Sequence, residues 1–485
     1  MKTLKRYTTY SILAASLALG ACNKDLNTTP PYQLTTGNAF KSLDDYNQQL
    51  NGVYGAGFAA ANYYNSFLGC TADVLSDDLY ETIESLVNYQ RVANWEFLSN
   101  DGYMAGVWLT PYNTILQANV IINGIDQFKS ENEKKYNRIL GQALASRAIA
   151  HFDLLKAHAD NLDRNSTDPG VAIKTNTNIE FPARNTVKEV YDAIYADLNK
   201  AISLLGDVDA AINTASNRSG LDIWGARAAF ARVALYAKDY ATAVTQSTAV
   251  INQFPLASRA NFPGIWNDAN VSEVIWSIKN LSGDPGSPFP SNEVMSYRFN
   301  RNTFGVTPAL LNSYDQANDI RFSTYFFIRN TSAGGTINNY AVQKFRGKGA
   351  ASDNLVDFKV FRTGEMYLIR AEANARLGGA NEVAANADLN ALRTARINGW
   401  VAGVYTGATL LNEIALERRR ELAVEGHRWF DLKRTTRVLN RSIAGTGNPN
   451  AQVKTTLATN STKWVWPIPE AEVNANKAMV QNPGY

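Results

Sequence analysis

Apolar positions along the chain recur mainly every three or four residues, the period of a helix with one buried face. Phe40, Leu43, Tyr46 and Leu50 begin the pattern, with Val53 and Tyr54 next, and Trp108, Tyr112, Ile115, Asn119 and Ile122 repeat it. Leu140, Leu144, Ala148, Phe152 and Leu155 mark one side of an Ala- and Leu-rich helix over 139–158. Tyr191, Ile194, Leu198, Ile202 and Leu205 give another such face. Strand-like alternation is scarce, and 273–278 and 340–345 are the best short candidates. The pattern predicts a mainly α protein.

Some of these helices come in pairs. Over 227–255, small residues at Ala231 and Ala234 lie on a first helix, Lys238-Asp239-Tyr240 turns the chain, and a second helix opens with Ala241 and Ala243. Ala243 and Pro255 have the spacing of the small packing residue and terminating proline of a tetratricopeptide unit. Small residues let antiparallel helices approach, and the proline ends the second. Ser247 departs from that unit, which usually has a bulky residue there, and an ordinary αα-hairpin is the other reading. Residues 362–396 form a second pair turning at Gly378-Gly379. The helical repeats are expected over roughly 139–258 and 362–434. Residues 60–105 and 260–350 are instead rich in Gly, Asn, Ser and aromatics, the composition of an irregular, loop-rich lobe that carries function.

The N-terminus changes how charge is counted. Lys2, Lys5 and Arg6 precede a short apolar stretch ending Leu19-Gly20-Ala21-Cys22, the form of a lipoprotein signal peptide over 1–21 with Cys22 as the lipid attachment site. Residues 22–36 read as a proline-containing tether able to span about 45 Å, and 37–485 as a single domain. The leader holds three of the 47 basic residues and none of the 44 acidic ones, so the remainder is formally neutral. A nucleic-acid partner, which needs a clustered cationic excess, is not expected. With Cys22 acylated, Cys70 is left unpaired and a disulfide framework is excluded.

A search for catalytic chemistry finds little. His151 and His158 can share a helix face, but no HExxH, cysteine cluster or third ligand accompanies them, and no metal is expected. No P-loop, G-x-S-x-G elbow or dinucleotide fingerprint is present, and no cofactor is implied. Asp73, Asp77 and Asp78 read as a surface or helix-terminal acidic cluster before a calcium site. Aromatic residues are abundant, with 9 Trp, 23 Tyr and 20 Phe, many outside the periodic helices. Such rings suit sugar faces, although core packing is the commoner role of each one taken singly. In 416–434 arginines, glutamates and aromatics interleave. Arg418, Glu421, Glu425 and Arg428 fall at helical spacing, which predicts a structural ion-pair network.

That block, with Trp466-Pro467-Ile468-Pro469-Glu470 and the terminal Asn482-Pro483-Gly484-Tyr485, resembles the SusD/RagB family of Bacteroidetes outer-membrane lipoproteins. Asn51-Gly52-Val53-Tyr54 and 361–373 extend the resemblance along the chain. It implies a tetratricopeptide-like helical-pair scaffold with an irregular substrate-facing lobe. It also implies non-catalytic binding of a glycan or related nutrient, partnership with a SusC-like TonB-dependent transporter, and anchorage in the outer membrane facing the exterior. By order along the chain, Tyr80, Tyr89 and Trp95 lie where the family places one binding loop, and Tyr297 in the other. Trp95 and Tyr297 are the expected stacking platforms, with Asn100 and Arg298 as polar neighbours. A glycoside hydrolase on a helical scaffold and a tetratricopeptide interaction adaptor are the alternatives.

Overall fold

Leu43, Tyr46 and Leu50 become the buried face of helix α1, Leu43–Gly52, whose N-cap Ser42 accepts the Asp45 N–H. Val53–Phe58 continues it as a π-helix, the wider turn that often marks a functional position. The computed structural model describes residues 39–60, 63–64, 68–69, 72–85, 89–280, 297–298, 301–330, 338–345, 355–447 and 449–485. The leader, Cys22, the tether and Cys70 lie outside them.

Helices α2, Gly102–Gly124, and α3, Glu133–His158, pack on one another and on α1. Every residue of α3 from Ile139 to His158 is buried, so this helix is the axis of the fold rather than a surface element. It packs in turn on α4, Val187–Leu205. A capping box starts α4: Thr186 accepts the Glu189 N–H while Glu189 accepts the Thr186 N–H, satisfying two orphan donors reciprocally.

The predicted pair is α5, Ile223–Tyr236, and α6, Tyr240–Gln253. Ala231, Ala234 and Ala243 are fully buried between them. Ser247 is buried too, and its hydroxyl donates to the Ala243 carbonyl at 2.6 Å, which satisfies the small polar residue at the bulky position. The short α7 is Ile320–Tyr325. The second pair is α8, Thr363–Leu377, and α9, Asn381–Arg396, and α8 also packs on α6. Gly378 and Gly379 between them adopt φ of 71° and 57°, the left-handed turn that glycine allows.

The strands of the described residues form two-stranded antiparallel sheets. They are β1 Leu79–Glu81 with β5 Phe304–Val306, β2 Val274–Ile278 with β8 Phe358–Arg362, β3 Tyr297–Arg298 with β4 Arg301–Asn302, β6 Phe326–Asn330 with β7 Asn338–Val342, and β9 Leu439–Asn440 with β10 Thr456–Leu457. The strand expected over 340–345 therefore begins earlier and stops at Val342. One apolar cluster runs from Leu43 to Met479 and ties helices and lobe together.

The C-terminal block departs from the expected helix. α10, Gly407–Glu421, stops at Glu421, and Val424 and Gly426 take φ of 64° and 81° before α11, Arg428–Arg434. Glu425 thus meets neither Glu421's helix face nor Arg428. It accepts from Arg362 and Lys344, while Arg428 grips Asp77. The ion-pair network exists, but it is tertiary and buried. Glu273, Asp319, Glu417, Glu421 and Glu425 face Arg321, Lys344, Arg362, Arg393 and Arg396, five charges of each sign. Neutrality and multiple partners are the conditions under which burying so many ions is tolerable.

Candidate functional site

The two expected binding loops meet through their main chains. In β1, Leu79, Tyr80 and Glu81 pair with Val306, Gly305 and Phe304 of β5. A Cβ at position 305 would collide with the Tyr80 ring, so only glycine permits this approach. The β3–β4 hairpin, pairing Tyr297 with Asn302 and Arg298 with Arg301, leads directly into β5. Beyond β1 the Thr82 N–H donates to the Thr303 carbonyl at 3.0 Å and the Asn302 N–H to the Glu84 carboxylate at 2.6 Å. On the other side the Asn450 N–H donates to the Glu81 carbonyl at 2.9 Å. Residues 79–85 are thus held between 302–306 and 449–450.

The acidic residues beneath this face anchor it. Asp73 accepts the N–H groups of Gly426 and Arg428, Asp77 takes both guanidinium arms of Arg428 at 2.7 and 2.9 Å, and Asp78 accepts from Arg419 at 2.6 Å. Burial raises the Asp73 carboxyl well above the usual range, and its two N–H donors offset that in part. Asp77 and Asp78 are the counter-charges of the C-terminal block, and Asp73 holds its main chain. Among the described residues no group of three or more His, Cys, Asp or Glu is placed to hold a metal. His151 and His158 are buried: the first sits against the Arg147 carbonyl and accepts the Lys174 N–H, and the second packs edge-on against Trp108.

The individual rings fare differently from their loops. Trp95 is 4% exposed, with φ of 59°; its indole N–H donates to the Leu75 carbonyl at 2.9 Å and Arg441 lies 4.8 Å over the ring. A ring covered on this scale has no face for a sugar, so in this structure Trp95 shapes the loop from inside. Tyr80 is buried as well, and burial pushes its hydroxyl up to about 12 despite a hydrogen bond with Thr446. Tyr89 is buried against Tyr103, ring centroids 4.9 Å apart. Asn100 is exposed beside the start of α2. Tyr297 and Arg298 stand on the hairpin by their backbone, and their side chains lie outside the described residues.

Half-buried Tyr103 and exposed Arg91, Ile83 and Leu98 belong to the same neighbourhood, and the sequence reading missed them. Tyr103 is on the first turn of α2, where spacing alone does not separate a core contact from a surface ring.

The comparisons agree with the architecture. A family model described as "SusD family" matches residues 311–485, and one described as "Starch-binding associating with outer membrane" matches 14–235. SusD-like protein P2 of Formosa agariphila is 25% identical, the alignment taking in 99% of this chain and 100% of that protein. Starch-binding protein SusD of Bacteroides thetaiotaomicron is 34% identical over 129 residues, 27% of this chain and 22% of that one. Among solved structures, a SusD superfamily protein of Bacteroides vulgatus aligns with a TM-score of 0.80 at 25% identity, covering 92% of this chain and 100% of that one. A putative sugar binding protein of the same organism aligns at 0.76 and 27%, covering 92% and 99%. With helical pairs, lobe and C-terminal block all in place, the chain matches SusD-family proteins in fold and, through the two models together, over most of its length.

Proposed function

We propose that the chain is a non-catalytic capture protein, anchored through lipid on Cys22 to the outer membrane and facing the exterior. It binds an oligo- or polysaccharide and passes it to a SusC-like TonB-dependent transporter. The observation that carries this reading is the pairing of β1 with β5, which joins Leu79–Glu81 to the segment that directly follows the hairpin of Tyr297 and Arg298. Two segments far apart in sequence form one face on a rigid scaffold, the arrangement a binding site needs. A relative named as a starch-binding protein and a structural neighbour described as a putative sugar binding protein support the ligand class.

Aromatic stacking at about 1 kcal/mol per ring makes single-sugar contacts weak, since millimolar affinity takes about −4 kcal/mol. Polymers that engage several contacts at once are therefore the favoured ligands. The test is affinity electrophoresis of the detergent-solubilised protein through a panel of polysaccharides, with reducing-end release followed in parallel. Retardation without released sugar supports capture. Released sugar makes the protein a hydrolase, and absence of retardation by every polymer removes the glycan reading.

A further inference from the structure

A cavity of about 540 Å³ lies apart from that face, between α1 with its π-helical extension, α3, residues 210–220 and the end of β2. Its size is that of a small-molecule site. The floor is apolar: buried Leu50 and Ile278 with the ring of Tyr54. Tyr54 is locked in place, its hydroxyl donating to Gln142 Oε1 at 2.7 Å and accepting the Leu221 N–H at 2.9 Å.

The rim carries charge of one sign. Arg138 and Lys279 line it, and among the described residues no carboxylate does. Their acidic partners, Asp209 at 2.7 Å and Asp357 at 2.9 Å, are not part of the lining. Arg138 uses Nε on Asp209 and Nη1 on Asn47, so among the described residues Nη2 is left as a donor. Asn51, also on the rim, adds an amide. A donor-rich rim above an apolar floor matches a ring with an acceptor-rich anionic substituent, which a guanidinium recognises by charge-assisted hydrogen bonds.

We propose that this cavity is a second ligand site, taking a sugar unit that bears a carboxylate or sulfate. It does not depend on the loop face.

Isothermal titration of the detergent-solubilised full-length protein with glucuronate, glucose 6-sulfate and glucose tests it. Saturable binding of an anionic sugar, with none of glucose, is the expected result, and the stronger of the two anions names the substituent. Gly55 lines the cavity and a Cβ there meets nothing within 4 Å, so Gly55→Phe starts from open space at its Cβ, and its ring fills the cavity and abolishes binding. Arg138→Gln weakens it about tenfold or more, the scale of one hydrogen bond to a charged group. Tyr297→Ala leaves it unchanged. No saturable heat with either anion, equal binding of glucose, or wild-type binding by Gly55→Phe overturns the proposal.

Discussion

Glu421 is the carboxylate to perturb, because three guanidinia converge on it in a fully buried setting: Arg321 at 2.8 Å, Arg396 at 2.9 Å and Arg362. Glu421→Gln keeps the shape and removes the charge, leaving the cluster with one cation in excess. Breaking a buried pair from one side costs about 3–5 kcal/mol. The lower end applies here, since Arg321 keeps Asp319, Arg362 keeps Glu425 and Arg396 keeps Glu273. A loss of about 3 kcal/mol moves the urea midpoint down by roughly 1 M for a slope near 3 kcal/mol/M. Lys129→Ala, which deletes an exposed pair with Glu133, is the control and leaves the midpoint in place.

Acid sharpens the test. Burial raises the Glu421 carboxyl, but Arg396, Arg362 and Arg321 outweigh it and hold the group well below its usual 4.5. A depressed folded value stabilises the protein above the unfolded value and loses that contribution as pH falls through the folded one. The gap between wild type and variant is therefore constant near neutrality and narrows below about pH 4.5. An unmoved midpoint, or a gap that widens on acidification, refutes the argument that charge holds this block.

The histidines give a second pH signature. Burial, with nearby cations, holds His151 and His158 down to about 3 and His427 well below its ordinary value. Stability from these groups is complete above the unfolded value of 6.5 and declines as pH falls below it, so on unfolding at pH 5 His151 and His158 each take up close to one proton, measurable by calorimetry in buffers of different ionisation enthalpy. Gly426→Ala forces a Cβ into the carbonyls of Leu68 and Gly69 at a φ of 81°, whereas Gly379→Ala opens onto empty space. Thermal melts should show the first losing several kcal/mol and the second about 1 kcal/mol. Trp95→Ala empties a buried site and costs about 3–5 kcal/mol by urea titration. Tyr297→Ala weakens polysaccharide retention about fivefold, the worth of one stacked ring, measured by affinity electrophoresis.

The helices were legible in the sequence because their signal is local. Tyr191, Ile194, Leu198 and Leu205 declare a buried face without reference to anything else in the chain. The ion network was legible in kind but not in partners: helical spacing favours Glu425 with Arg428, and only the left-handed residues Val424 and Gly426 redirect them. The binding loops could be located by order along the chain, yet the state of each ring could not. What closes over Trp95 is Leu75 and Arg441, the latter supplied from far along the chain. The cavity at Tyr54 could not be read from the Asn51-Gly52-Val53-Tyr54 motif alone, because its walls come from four separate segments.

The union of Asp77 and Asp78 with Arg428 and Arg419 also fixes an order of events. The partners are 351 and 341 positions apart, and Arg441 closes on the Val74 carbonyl across 367. Contacts of such range form late and slowly, after loop-closure entropy has been overcome. A nascent chain emerging N-terminus first keeps these carboxylates hydrated and its candidate binding face unfinished until nearly the whole polypeptide is available. The face is therefore a checkpoint on completeness: a chain cut short before α10 can build its early helical pairs but has nothing with which to assemble the floor of its site.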